Sequence, residues 1–390
     1  MSEPTPHCPV SVIKDPILGL IQVFKEDARR EKIDLLAGVL KKQGAVTFLD
    51  SVKRAQSLFL EGQKEKNYLP MRGNAQACSL IGSLIWKKAP PLSIQSLGGT
   101  GALSLACQLA LAMGYRKALI SEPSWPNHSR IVQQAGLVRL GYTHLENRAF
   151  SSLVEVLKSQ SEPVVLLLQP FCHNPTGVDF TFEECQELFS ICEKNRHLVL
   201  FDVAYMGFKW GLEEDGAYLD KLTNHCSNWL LSFSCSKNMT LYAERVGVLF
   251  GRLFEHIELS SVQDYLSHLA RASYSNPPLH GIGVAQTLLS HDELKSFWIK
   301  ELKQEYRGLQ EQRNLLSQSF KKAGFHQWAS SIENQSGLFG YFPLSCEKAD
   351  LLKEASALYL PLEGRVNLTS LSPVICEKLI EGLQLVGVGE

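Results

Sequence analysis

The sequence predicts an α/β fold: a mostly parallel sheet flanked by helices, with a smaller unit attached. Three observations lead to it. Short, unbroken apolar runs recur through the middle of the 390-residue chain, an amphipathic stretch at helical spacing lies between two of them, and a long charged, periodic stretch sets off the last part. At roughly 100–200 residues per domain, the length suggests two or three domains, or one large body with a smaller cap.

The runs Ala118–Ile120, Val164–Gln169, Leu198–Phe201, Trp229–Phe233 and Val246–Phe250 are Val/Leu-rich and do not alternate with polar residues. Strands buried on both faces have this pattern. Between two of them, Thr181–Lys194 places Phe182, Cys185, Leu188, Phe189 and Cys192 at helical spacing, and Thr181 with Glu184 forms a capping-box signature. Strand–helix–strand alternation points to a parallel sheet with helices on its faces. Ser290 and Glu293 repeat the capping-box pattern ahead of a periodic stretch that runs to Lys322, with Gly324 as its stop. A helix of that length is long for a globular protein and suits a bridge between two units. Beyond it, Gly337–Phe342 and Arg365–Leu368 read as strands of the smaller unit.

Composition excludes several classes. Apolar residues at 45% and charged residues at 20% allow a large core, and 39 basic against 40 acidic side chains leave a formal charge of -1. That balance gives no footprint for nucleic acid or an anionic membrane. No window approaches the ~18–20 apolar residues of a spanning helix. The start, MSEPTPHCPVSVIKDP, lacks a basic region followed by an apolar run, so no secretory signal is expected. The ten cysteines include no C-x-x-C pair. No metal site is expected, and free thiols in a cytoplasmic, reducing setting fit best.

Chemistry-bearing residues gather where the apolar runs end. Ser232-Phe-Ser-Cys-Ser-Lys237 follows one run, and Arg245 stands eight positions on. A lysine held at a buried strand end becomes nucleophilic, whereas a lysine in an open turn is merely solvated. Ser234, Ser236 and Arg245 suit a phosphate. Asp202 ends another run, where it is either a helix N-cap or an acid facing a cationic ring nitrogen. Gln169-Pro-Phe-Cys-His173-Asn174-Pro-Thr-Gly177 reads locally as a tight loop. Gly98-Gly99-Thr100-Gly101 opens a helical stretch whose backbone N–H groups could face a phosphate. Trp125, between prolines, suits stacking on a flat ring or plugging the core. Arg271 and Arg365, in otherwise uncharged loops, suit carboxylates. Together these describe one inventory: a reactive lysine, a phosphate cradle, an acid, a stacking plate and two carboxylate forks. Pyridoxal phosphate handling an amino acid needs that set.

With these residues in order, the chain resembles the fold-type I, class I aminotransferases of the aspartate/aromatic amino acid group. The resemblance runs from Asp15-Pro-Ile-Leu-Gly-Leu20 to Gly364-Arg-Val-Asn367. Its blocks are Tyr68-Leu-Pro70, Gly99-Thr-Gly-Ala-Leu103, Pro123-Ser-Trp-Pro-Asn-His128, His173-Asn-Pro-Thr-Gly177, Asp202-x-Ala-Tyr205, Ser236-Lys-Asn238, Glu244-Arg-Val-Gly247 and Tyr274-Ser-Asn-Pro-Pro278. It implies a large pyridoxal-phosphate domain (46–304) with a mixed, mostly parallel sheet. A small α+β domain would be formed by 15–45 and 305–390, and 1–14 would be an N-terminal arm.

The resemblance also implies roles. Lys237 would bind the cofactor covalently and later shuttle the substrate's Cα proton. Asp202, supported by His128, would pair with the pyridinium nitrogen. Tyr205 and Asn174 would hold the phenolic oxygen, and Trp125 would stack on the ring. Gly99, Thr100, Ser234, Ser236 and Arg245 would bind the phosphate, with Tyr68 reaching in from a partner subunit. Arg365, helped by Asn174 and the backbone near Gly38, would clamp the substrate α-carboxylate. Arg271 of the partner would take a distal carboxylate. The expected reaction is transamination between aspartate or an aromatic amino acid and 2-oxoglutarate, in a homodimer with shared sites, and the alternative is a pyridoxal-phosphate lyase. Departures from the family pattern are Gly98 where Ser is common, Arg72 where a small apolar residue is usual, and Leu-Lys-Lys-Gln-Gly after Gly38-Val39 in place of a longer loop.

Overall fold

The computed structural model describes residues 16–42, 44–361 and 364–388. The expected N-terminal arm (1–14), Asp15 and Gln43 of the altered loop lie outside these residues. The centre of the molecule is a seven-stranded sheet. Its strands are β1 (Leu92–Leu97), β2 (Lys117–Glu122), β3 (Val138–Thr143), β4 (Val165–Leu168), β5 (Leu198–Val203), β6 (Trp229–Ser234) and β7 (Val246–Arg252). They lie in the order β1-β7-β6-β5-β4-β2-β3. Only β7 runs against its neighbours, β1 and β6. The other pairs are parallel. The carboxyl ends of β1, β2, β4, β5 and β6 therefore face the same side, where open α/β sheets bind ligands.

All five expected strands are present. Alternate residues of β5 and β6 feed two apolar layers: Val199, Phe201, Val203, Trp229, Leu231 and Phe233 on one face, and Leu198, Leu200 and Leu230 on the other. Burial on both faces is why these runs are unbroken. Two strands were not expected. β3 is an edge strand, exposed at Val138 and Arg139 and buried only at Tyr142, with Arg139 and Gly141 interrupting its apolar residues. β1 interleaves Ser93, Gln95 and Ser96 with its apolar residues, and buries Gln95 and Ser96.

The helix Phe182–Lys194 begins on a complete capping box. Glu184 N donates to Thr181 Oγ1 (3.2 Å) and Thr181 N to Glu184 Oε2 (2.8 Å). The second capping box does not form. Ser290 ends the helix His280–Ser290, so His291 is left to begin the next helix, with no side-chain cap. That next helix, Asp292–Lys322, has 31 residues and spans about 46 Å. Gly324 (φ +91°) follows its C-cap, as expected of a left-handed stop.

The long helix joins both parts of the chain. Near its start Trp298 Nε1 donates to Asn238 O (2.7 Å), and further on Arg313 Nη2 donates to Gly337 O (2.7 Å). N-terminal and C-terminal segments meet beyond it. Ile33–Asp34 pairs in parallel with Leu358–Tyr359, and Phe339–Tyr341 pairs antiparallel with Arg365–Asn367. Asn367 N also donates to Leu35 O (3.1 Å). Among the described residues, no helix is long and apolar enough to cross a membrane, no acidic, His or Cys cluster suits a metal, and nine cysteines are free.

Candidate active site

A cleft of about 220 Å³ opens at the carboxyl ends of the strands. Eleven of the residues expected at the site line it: Gly38, Gly99, Thr100, Trp125, Asn174, Asp202, Tyr205, Ser234, Ser236, Lys237 and Arg245. Gly99 and Thr100 open the helix that follows β1, and the others stand at the end of a strand or in the loop after it, which is why residues so distant in sequence converge.

At one end lies an anion cradle. The helix Gly98–Ala112 follows β1 directly and points its amino terminus at the cleft. Free N–H groups and the helix dipole favour a phosphate there. Gly98 has φ +70°, and a Cβ on it would lie 2.5 Å from Arg245 Nη2. A Cβ on Gly99 would come within 3.1 Å of the Ser234 Cβ. Both glycines thus let the Arg245 guanidinium and the Ser234 side chain pack against this helix start. Arg245 is aimed by Ser236 Oγ (3.4 Å) and the carbonyls of Tyr242 (3.2 Å) and Leu97 (3.4 Å). Gly247 brings β7 against the backbone of Gly98, where a Cβ would meet the Gly98 carbonyl carbon at 2.4 Å.

At the other end is a buried acid. Asp202, the penultimate residue of the fully buried β5, contacts His128 Nε2 through Oδ2 at 3.0 Å, and His128 Nδ1 contacts Ser124 Oγ at 2.8 Å. Trp125 sits edge-on to His128, with centroids 5.2 Å apart. Tyr205 OH accepts from Asn174 Nδ2 at 3.3 Å, and burial pushes its phenol pKa up. Lys237 Nζ lies 4.9 Å over the Tyr205 ring. Burial pulls its amine down from 10.5 to about 8; Asp202 opposes that shift, and Arg245 and Arg365 reinforce it. At neutral pH the amine is still mostly protonated, but its neutral, nucleophilic fraction is far larger than that of an exposed lysine.

Arg365 approaches from the C-terminal part. It is buried, with Nη1 donating to Asn174 Oδ1 (3.0 Å), Nη2 donating to Leu36 O (2.8 Å) and its plane 4.2 Å from the Phe339 ring. Tyr68 and Arg271 stand away from this cleft. The Tyr68 side chain is 91% exposed, and Arg271 donates to Ser275 Oγ (2.6 Å) on an exposed helix end. Asn276 Nδ2 reaches Leu69 O (2.7 Å), which ties the two segments together.

Two further lining residues, Gln169 and Tyr242, were not singled out from sequence. Gln169 Oε1 accepts from Asn174 N (3.0 Å) and fixes that loop. Its signal was a polar residue ending an apolar run. Tyr242 OH accepts from Leu40 N (2.9 Å), so it links the loop after Gly38 to the lysine loop. Its position between Lys237 and Arg245 was the available clue.

The set fits pyridoxal phosphate. Arg245 and the helix amino terminus offer charge and N–H groups to a phosphate at one end, a histidine-backed carboxylate can face a ring N–H at the other, and a buried amine of lowered pKa lies between them.

The comparisons agree. Residues 30–383 match the family model for aminotransferase class I and II. The chain is 35% identical to the aspartate aminotransferase of Haemophilus influenzae, over 95% of this chain and 98% of that protein. It is 32% identical to the aromatic-amino-acid aminotransferase of Pseudomonas aeruginosa, over 95% and 96%. The aromatic-amino-acid aminotransferase of Burkholderia pseudomallei, solved covalently bound to pyridoxal phosphate, superposes with a TM-score of 0.89 at 29% identity, covering 97% of this chain and 100% of that one. These relatives give the lyase alternative no support. The chain belongs to the class I and II aminotransferase family and is a pyridoxal-phosphate-dependent transaminase of fold type I.

Proposed function

We propose that this enzyme transfers the amino group of aspartate or an aromatic amino acid to 2-oxoglutarate, giving glutamate and the matching 2-oxo acid. The observation that carries the proposal is the convergence of Lys237, Asp202 and Arg245 in one cleft, with Arg365 fastened to Asn174 at its edge. Relatives named for aspartate and for aromatic substrates support both donor classes.

Bound pyridoxal phosphate supplies an electron sink for the pair left on the substrate's Cα when its proton departs. The chain's own residues do the rest. Gly99, Thr100, Ser234, Ser236 and Arg245 bind the phosphate. Asp202, held by His128, keeps the ring nitrogen protonated. Tyr205 and Asn174 donate to the phenolic oxygen, and Trp125 covers the ring face. Lys237 holds the cofactor covalently, and as a free amine it carries the Cα proton. Arg365 grips the α-carboxylate with its guanidinium fork, assisted by Asn174 and the backbone at Gly38.

A homodimer completes the site. Tyr68 and Arg271 point away from their own cleft and are tied together through Asn276 and Leu69. That arrangement suits delivery to a second copy, with Tyr68 meeting the phosphate and Arg271 the distal carboxylate. The division into 46–304 and 15–45 with 305–390 is supported by the pairing of residues 33–34 with 358–359. Closure of the smaller part on the bound carboxylate would exclude water. Nine free cysteines among the described residues suit a cytoplasmic setting.

The test is a panel of amino donors with 2-oxoglutarate, in which kcat/KM is compared for aspartate, tyrosine and phenylalanine and glutamate formation is followed. Ammonia and pyruvate in place of glutamate would overturn the proposal.

A further inference from the structure

Outside the cleft, one buried cluster of charges joins the two parts of the chain. The Lys209 Nζ lies 2.8 Å from Asp179 Oδ2, with the lysine side chain 14% and the aspartate side chain 5% exposed. Lys209 also lies 4.2 Å over the Trp210 ring. The same Asp179 oxygen accepts from Ser336 Oγ at 2.5 Å, while Oδ1 accepts from His173 N at 3.1 Å. Ser336 in turn accepts from Cys172 N through Oγ (3.0 Å) and donates its own N–H to Gly177 O (2.9 Å). The two segments pack closely, with glycines at the contact. A Cβ on Gly177 (φ +66°) would lie 2.7 Å from Gln335 Cβ, and one on Gly337 (φ +84°) would lie 2.5 Å from Cys172 Cβ.

Both partners of this cluster lead into the carboxylate site. The loop 172–179 carries Asn174. Ser336 and Gly337 lead directly into Phe339–Tyr341, which pairs with Arg365–Asn367 and puts Phe339 against the Arg365 guanidinium. From the other side Arg313 holds that segment through Gly337 O (2.7 Å) and Phe339 O (3.2 Å). The Asn174–Arg365 contact is therefore closed at its far end by Asp179, Ser336 and Lys209.

We propose that Asp179, Lys209 and Ser336 are positioning residues: they form a clasp that fixes Asn174 relative to Arg365 and so sets affinity for the α-carboxylate common to all substrates. The proposal rests on the reading of Arg365 as the α-carboxylate fork. Asp179 can hold the loop and the C-terminal strand together in a buried place because Lys209 offsets its charge. Loosening the clasp lets the fork drift from Asn174 and leaves the residues that hold the phosphate and the ring nitrogen, on β5, at and after the end of β6 and on the helix after β1, where they are.

The test compares Ser336→Ala, Ser336→Thr, Lys209→Met and Asp179→Asn with the parent holoenzyme. Cofactor content, melting temperature, kcat and KM are measured, together with the dissociation constant of 2-methylaspartate, which has no Cα proton and reports binding without turnover. Loss of a hydrogen bond to a charged group is expected to raise KM and this dissociation constant about tenfold. The factor is expected to be equal for aspartate, phenylalanine and 2-oxoglutarate, with kcat and cofactor content retained. Ser336→Thr, which keeps the hydroxyl, restores affinity. Unchanged KM in Ser336→Ala and Lys209→Met, or a rise confined to one substrate, would overturn the proposal. If Asp179→Asn fails to fold, Ser336→Ala decides. A parent enzyme that binds 2-methylaspartate but transaminates neither aspartate nor an aromatic amino acid with 2-oxoglutarate would sink the proposed function and leave the clasp testable through binding alone.

Discussion

The surroundings of Gly98 show what a side chain there would meet, and Gly98→Ala tests it. Its φ of +70° is a left-handed conformation, which costs an L-residue roughly 1 kcal/mol. The added Cβ would sit 2.5, 2.8 and 2.9 Å from Nη2, Cζ and Nη1 of Arg245, all inside contact distance. Arg245 must then swing away from the phosphate position and give up a charge-assisted hydrogen bond of about 1.5–3 kcal/mol. At 1.4 kcal/mol per factor of ten, the affinity for pyridoxal phosphate should fall about 10- to 100-fold. Thermal unfolding of the apoprotein should change by only the conformational strain. The assay is equilibrium titration of apoprotein with pyridoxal phosphate, followed by absorbance. Unchanged or tighter binding would show that the guanidinium does not need the space that glycine leaves, and the reasoning would fail.

Lys237→Ala should abolish transamination while pyridoxal phosphate remains bound without a covalent link, as absorbance and single-turnover assays would report. Because the folded Lys237 amine titrates near 8 rather than 10.5, its neutral fraction increases as pH rises through 8. The rate at which apoprotein captures the cofactor should therefore increase over that range, and a flat profile would count against the buried amine. The unfolded chain holds more protons between about 8 and 10.5, so this lysine makes apoprotein stability increase with pH there, as denaturant titration would measure. Arg271→Leu should reduce kcat/KM for aspartate far more than for phenylalanine, and equal losses would remove Arg271 from the distal carboxylate.

The site was legible because its residues lie where apolar runs stop. Asp202 and Lys237 each follow an unbroken run, and the carboxyl ends of parallel strands are where such folds bind ligands. What escaped was polar or remote. Gln95 is buried inside β1, yet its side chain is satisfied by Asn74 N (3.0 Å) and Pro278 O (2.8 Å), partners that no local pattern discloses. Val138 of β3 is 59% exposed, so an edge strand left no apolar run to read. Ser290 carried a genuine capping pattern, but tertiary packing carries the preceding helix through it. Asp179 and Lys209 are thirty positions apart and meet only because a loop folds back. Periodicity reports burial along one element; pairings between elements need the fold.

The charges in the cleft explain how one amine can serve two purposes. Burial depresses Lys237 most, Asp202 opposes it, and Arg245 and Arg365 add to the depression. A phosphate carries about -1.5 to -2 charges, and it would neutralise Arg245. A substrate carboxylate would neutralise Arg365. Each anion removes one of the two cationic influences that lower the amine's pKa. Proton affinity at Lys237 Nζ therefore increases as the site fills. The empty site raises the neutral, nucleophilic fraction of the amine, and bound anions favour an amine that will accept the Cα proton. The same logic explains why the carboxylate fork is arginine. Arg365 is only 4% exposed, and a lysine buried so deeply would shed the charge on which both substrate binding and this modulation depend.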